Sequence, residues 1–288
     1  IFTIPLQNLC LRTYPKLIYC EIRMKFQKII ITGGTRGIGR ALVDKFLQED
    51  CEIHVIARNF QEQPTDSNLI FHSLDLTKVH EVSSFCENFI SSFGVPDLLI
   101  NNAGSGAFYK WSQFPEIEIL NQINLLYTSP VLICRHFLPI MYEEKRGTIV
   151  NVSSLATIYP VPFMTLYNSG KSALSAFTQS LMFEYKDFIK IIDLRLGDVR
   201  TDFNRKQAKF HETKWSPKMQ KAWNKIENQL NESPSSALIA KQILKIISLQ
   251  KSGVFYGGGA FQSKIAPLLR KFMNYKGLLF LLRQRYFQ

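Results

Sequence analysis

The chain has 288 residues, 46% hydrophobic and 20% charged, a balance that supports one large folded domain or two small ones and excludes disorder over most of its length. Its net charge of +12 sits at the ends, with +4 over residues 1–28, +2 over 29–260 and +6 over 261–288, so the near-neutral body argues against a nucleic-acid surface. Five cysteines (Cys10, Cys20, Cys51, Cys86, Cys134) without paired spacing fit neither a disulfide framework nor a zinc site, and they imply a reducing, cytoplasmic setting with no metal.

Residues 1–23, which lack an initiating Met and precede Met24, read either as the remnant of a targeting segment or as upstream sequence, and are set apart from the fold. From 24 to 260, apolar runs with strand character alternate with amphipathic helical stretches. Strands are predicted at 26–32, 52–57, 69–74, 97–101, 147–152, 190–195 and 253–257. That alternation implies βαβ units, hence a single-domain, doubly wound α/β fold: a parallel sheet of about seven strands with helices on both faces. The polar, helical-looking insertion 202–232 interrupts the pattern where a substrate lid would lie, and Ser233-Pro234 after it reads as a cap and first position of the next helix. The last segment, 261–288, mixes Lys and Arg with Leu and Phe. Over 264–288 it suits either an amphipathic helix at a membrane surface or a tail packed on its own domain or on a neighbouring subunit. Its longest apolar run, 277–282, is far short of the ~20 residues that cross a bilayer.

The chemistry starts where the first strand ends. In IIITGGTRGIGRAL, Gly33, Gly37 and Gly39 lie between an apolar strand and a helix beginning near Ile38. Glycines there permit a tight turn and let a diphosphate approach the helix N-terminus. Further on, Tyr167 and Lys171 are spaced i and i+4, on one helical face. An ammonium ~5 Å from a phenol at an effective dielectric of ~20 lowers the phenol pKa by roughly 2 units, toward ~8, which suits a general acid. Ser154, thirteen residues earlier at a strand end, could donate to a carbonyl oxygen; Ser153 is the alternative.

These residues resemble the short-chain dehydrogenase/reductase family. Its TGxxxGxG motif matches Thr32 to Gly39, and its NNAG segment matches Asn101-Asn102-Ala103-Gly104; Asn124, Ser154, Tyr167 and Lys171 follow in family order, over roughly residues 25–260. The resemblance implies a Rossmann fold and a Ser-Tyr-Lys-Asn site, with Asn124 positioning a water in a proton relay. It also implies cofactor contacts through Thr35, Arg36 and Ile38 in the loop, Asp75, Asn102, Ala103 and Gly104, and Gly197, Val199 and Thr201 in a segment similar to PGxVxT. Tyr127 replaces a customary glycine and Leu196 a customary proline. At the end of the second strand Ala57 stands where NAD-binding members carry an acid, and Arg58 follows; with Arg36 this resembles the NADP-preferring members.

The implied reaction is reduction of a ketone or aldehyde by NADPH. The substrate expectation is a small carbonyl compound, such as a pteridine or a diketone. A 3-oxoacyl or sphingoid-type lipid ketone met at a membrane surface is the second reading, and a non-catalytic NADP(H) sensor the third. The family resemblance also implies a homo-oligomer, dimer or tetramer, packed through the small residues Ser172, Ala173 and Ala176 of the Tyr167 helix.

Overall fold

The computed structural model describes residues 26–60, 66–201, 208–209 and 215–288. Residues 1–23 and Met24, and most of the first half of the 202–232 insertion, lie outside the described residues.

The strands are β1 (Lys28–Thr32), β2 (Glu52–Ala57), β3 (Leu69–Ser73), β4 (Leu98–Asn101), β5 (Ala107–Phe108), β6 (Thr148–Ser154), β7 (Lys190–Leu196), β8 (Ala208–Lys209) and β9 (Gly253–Gly257). Seven of them form one parallel sheet in the order β3-β2-β1-β4-β6-β7-β9, at the seven places that the apolar runs predict. The remaining two, β5 and β8, pair in a small separate ladder that the sequence does not announce. The helices are α1 (Gly37–Phe46), α2 (Val79–Phe93), α3 (Glu116–Ile123), α4 (Ser129–Glu143), α5 (Thr165–Glu184), α6 (Pro217–Asn231), α7 (Ser236–Ser248), α8 (Ala266–Phe272) and α9 (Tyr275–Phe287).

The KIIIT run of β1 is apolar throughout because both faces of the sheet are covered. Ile29 and Ile31 join a core with Leu42 and Val43 of α1 and Ile239 and Ile243 of α7. Ile30, pointing the other way, joins Val82 and Phe89 of α2 and Phe137 of α4. Strand order reverses between β1 and β4, where consecutive crossovers depart to opposite sides and leave a crevice at the strands' carboxyl ends.

One boundary differs from the sequence expectation. Helix α7 is capped by Ser235, whose hydroxyl accepts from the Leu238 N–H, whereas the Ser233 hydroxyl donates back to the Gln229 carbonyl and closes α6. The tail folds back onto the domain, one of the arrangements that its composition suits. Leu278 and Tyr286 are buried, and α9 packs on α6 beside Met219, Trp223 and Ile226.

Candidate active site

A cavity of about 1070 Å³ opens at the crevice. Every residue that the sequence singles out for cofactor or chemistry lines it except Gly39 and Asn124.

One wall is the glycine loop. Gly33 and Gly37 hold φ of +69° and +56°, values that disfavour a side chain, and a Cβ on Gly39 would collide with the Gly33 carbonyl oxygen. Gly39 therefore shapes the loop from beneath. The NNAG segment crosses directly over it: Thr32 Oγ1 accepts from the N–H of Asn102 (3.0 Å) and of Ala103 (2.9 Å), and Asn102 Nδ2 donates to the Thr32 carbonyl. Asp75 is held by its own turn, accepting from the N–H and hydroxyl of Thr77. Thr201 arches over the start of α1, its methyl carbon 3.3 Å from where a Gly37 Cβ would stand. Leu196, in place of a proline, continues β7 in register with Gly257, and the Gly197 N–H donates to the Gly257 carbonyl.

Another part of the cavity wall carries the candidate reactive groups Ser154, Tyr167 and Lys171. Strand pleating sends Ser153 and Ser154 of β6 to different faces. The Ser153 hydroxyl is spent on Asp193 (2.5 Å), while that of Ser154 is hydrogen-bonded to the Tyr167 phenol, so Ser154 is the serine paired with Tyr167. Lys171, one turn along α5, is buried and donates to the Val152 carbonyl (2.6 Å), with Gly104 leaving room above its ammonium. Behind it Asp193, fully buried, accepts from Ser175 (2.6 Å) and from Arg195 (3.1 Å).

The electrostatics differ from the sequence expectation. Burial raises the Tyr167 phenol above its usual range, against the Ser154 hydrogen bond, and Asp198 adds to the rise. The same burial pushes the Lys171 ammonium down to about 8, with Asp193 pulling the other way. Spacing alone pointed to a lowered phenol because it counts the ammonium and omits the desolvation of both groups.

Asn124 is not on the cavity wall. Its amide donates to the Thr77 carbonyl (2.9 Å), and it heads a π-helical turn, 124–128, between α3 and α4, where Leu126 packs against Gly170 of α5. Tyr127 of that turn meets Phe177 edge-on, which is how a tyrosine is accommodated there.

The tail supplies residues with no local signature. Gln262 makes a two-point contact with Asp198, accepting from its N–H (3.1 Å) and donating to its carboxylate (2.6 Å). A Cβ at Gly197 would occupy the place of the Gln262 amide. Burial raises the Asp198 carboxyl, opposed by Gln262 and by Arg285, and burial pushes the Tyr286 phenol up to about 12. Arg285 and Tyr286 line the cavity with Leu281 and Leu282, as do Ile226 and Leu230 of α6. From the sequence, Asp198 was reachable as the variable position of the PGxVxT-like segment; Gln262, Arg285 and Tyr286 were not.

Residues 27–212 match the short chain dehydrogenase family. The chain is a member of that family. It is 29% identical over 181 residues to a 3-ketodihydrosphingosine reductase of Bacteroides thetaiotaomicron, covering 62% of this chain and 66% of that protein, so it spans slightly less than two thirds of that relative's length. It is 25% identical over 274 residues to the very-long-chain 3-oxoacyl-CoA reductase of Mus musculus, covering 89% and 81%. A short-chain dehydrogenase from Streptomyces avermitilis superposes with a TM-score of 0.75 at 21% identity, over 87% of this chain and 94% of that one, and shares the fold. Solved structures that share the fold include complexes with NADP+ and with NADH. The cavity fits such a group. A cradle that any Cβ would fill lies at the N-terminus of α1, and Arg36 and Arg58 line the adjoining end of the cavity, forming no ion pair among the described residues.

Proposed function

We propose that this chain is a cytoplasmic reductase that converts a ketone or aldehyde to an alcohol with NADPH, through Ser154, Tyr167, Lys171 and Asn124. The observation that carries the reading is the Tyr167–Ser154 hydrogen bond on a cavity wall facing the glycine loop, with Lys171 buried one turn away.

The dinucleotide would be held by the loop from Gly33 to Gly39 with Thr35 and Ile38, by Asp75 and Asn102 to Gly104, by Gly197, Val199 and Thr201, and by Lys171. When bound, it supplies a hydride for the carbonyl carbon. Ser154 donates a hydrogen bond to the carbonyl oxygen, strengthening as charge develops there. Tyr167, kept protonated by its raised pKa, gives its phenolic proton to that oxygen. Lys171 stabilises the phenolate left behind and returns a proton to it. Asn124, at the head of the π turn that packs on α5, stands at the outer end of the proton path. Arg36 and Arg58 favour the 2′-phosphate of NADPH, since a guanidinium pairs well with a phosphate and poorly with a free ribose.

NADPH consumption across short ketones, diketones and pteridines, measured beside Tyr167→Phe, tests the chemistry. The variant is expected to lose about 10²–10⁴ in kcat; turnover that survives undiminished would sink the mechanism. Arg58→Asp is expected to raise KM for NADPH about ten- to a hundredfold and leave that for NADH little changed or lower.

A lipid ketone is the second substrate reading. It is favoured by the apolar distal wall of the cavity, formed by Ile226, Leu230, Leu269, Leu281 and Leu282, and by the names of the two relatives above. The proposed homo-oligomer pairs through α5, where Ser172 and Ala176 are exposed, beside α3 with Ile117 and Leu120 exposed.

A further inference from the structure

Helices α8 and α9 have an outer face that neither the core nor the proposed reaction uses. It carries Leu268, Phe272, Tyr275 and Phe280 in the open, Phe272 at 83% and Phe280 at 65% of full exposure. Between them stand the exposed cations Lys264, Lys271, Lys276 and Arg283. From 261 to 288 the chain has six Lys and Arg and no acidic residue. Single exposed apolar residues are ordinary, but a run of large ones on two successive helices, spaced by cations, is the composition of a surface seated in a lipid headgroup layer.

The cavity opens beside this face. Leu269 and Leu281 both line the cavity and are 44% exposed, which places them on its rim, one from each helix. Neither helix reaches the length that crosses a bilayer, and no described helix is long and apolar enough to do so. We infer that the α8–α9 face docks on an anionic lipid surface and holds the cavity rim against it, so that a long-chain ketone passes from the lipid into the cavity. This deepens the lipid reading of the same cavity. A second copy of this chain is the poorer occupant, since a two-fold contact would oppose these cations to one another with no acid in the segment to answer them.

Co-sedimentation of the full chain with vesicles tests the inference. Vesicles of phosphatidylcholine with about 30% phosphatidylserine are expected to bind the chain at least about tenfold better than phosphatidylcholine alone, with binding falling as salt is raised. Two double variants, Phe272→Ser with Phe280→Ser and Lys271→Glu with Lys276→Glu, are expected to lose about tenfold or more of that binding. None of these four residues lines the cavity, so melting temperature and turnover of a short water-soluble ketone should stay at wild-type level. Wild type and both variants partitioning equally would overturn the inference. So would variants that keep their vesicle binding while dissociating a dimer in analytical ultracentrifugation, which would make the face a contact between copies. Absence of turnover in the wild type would strike the reductase reading and leave the sedimentation result standing.

Discussion

At Lys171 two effects oppose each other and burial is the larger. Burial drives the ammonium toward its neutral form, and the fully buried Asp193 carboxylate holds the proton on, leaving the group at about 8. The ammonium is therefore present below about 8 and lost as pH rises through it. If the reaction needs that charge, kcat/KM for reduction falls on the same limb. Asp193→Asn removes the raising influence, so the falling limb should move to lower pH, at a stability cost because Ser153, Ser175 and Arg195 lose a charged acceptor. An unmoved limb in a folded variant would show that Asp193 is only structural. Gly39→Ala should reduce dinucleotide affinity and lower the melting temperature, since its methyl would meet the Gly33 carbonyl of the loop backbone and the Asn102 amide that is hydrogen-bonded to the Thr32 carbonyl. At this scale much was readable: Tyr167 and Lys171 from helical spacing, the glycines from the turn they allow. The preference for Ser154 over Ser153 came from the family resemblance, and its physical reason lies in which face of β6 meets Asp193. The phenol's direction of shift was not readable, because desolvation depends on everything packed around it.

Among the elements, the β2–β3 edge holds a device that no pattern suggested. His54, buried, meets His72 across the strand pair (Nδ1 to Nε2, 2.8 Å) and Glu52 on its other side (2.6 Å), within a ring of Phe85, Phe89 and Phe93. Burial lowers both imidazoles, His72 to about 4, and neighbouring charge acts on each: Glu52 raises and Lys28 lowers His54, while His54 lowers His72. Below about 6.5 the unfolded chain binds protons that the folded chain refuses, so stability should fall as pH drops from about 6.5 to about 4. His72→Gln, which can still donate to His54 without titrating, should flatten the slope of melting temperature against pH in that window. The seven sheet strands were legible because a strand covered on both faces reads as an unbroken apolar run. The β5–β8 pair was not: two residues a side carry no period. The cap of α7 was misplaced by two residues because Ser233, Ser235 and Ser236 are chemically alike, and only hydrogen bonding shows which one accepts.

At the scale of the whole molecule, the tail changes what can be tested. Removing 275–288 would strip Arg285 and Tyr286 from the cavity wall and uncover Met219 and Trp223. That truncation is expected to lower both the melting temperature and the turnover of short ketones, so it cannot isolate a membrane role as surface substitutions can. For the proposed oligomer, Ala176→Arg on the exposed side of α5 should yield monomers in analytical ultracentrifugation; an unchanged mass would place the contact elsewhere. Fold class and the candidate site residues on the cavity wall follow from short-range order along the chain, because strand runs, helical spacing and glycine turns are effects within a few residues. The protonation of Tyr167, the far wall of the cavity and its lipid-like rim depend on residues such as Asp198, Gln262 and Tyr286, which come together only when the last thirty residues fold back over the first two hundred. Desolvation and enclosure are properties of that packing, and no local stretch contains them.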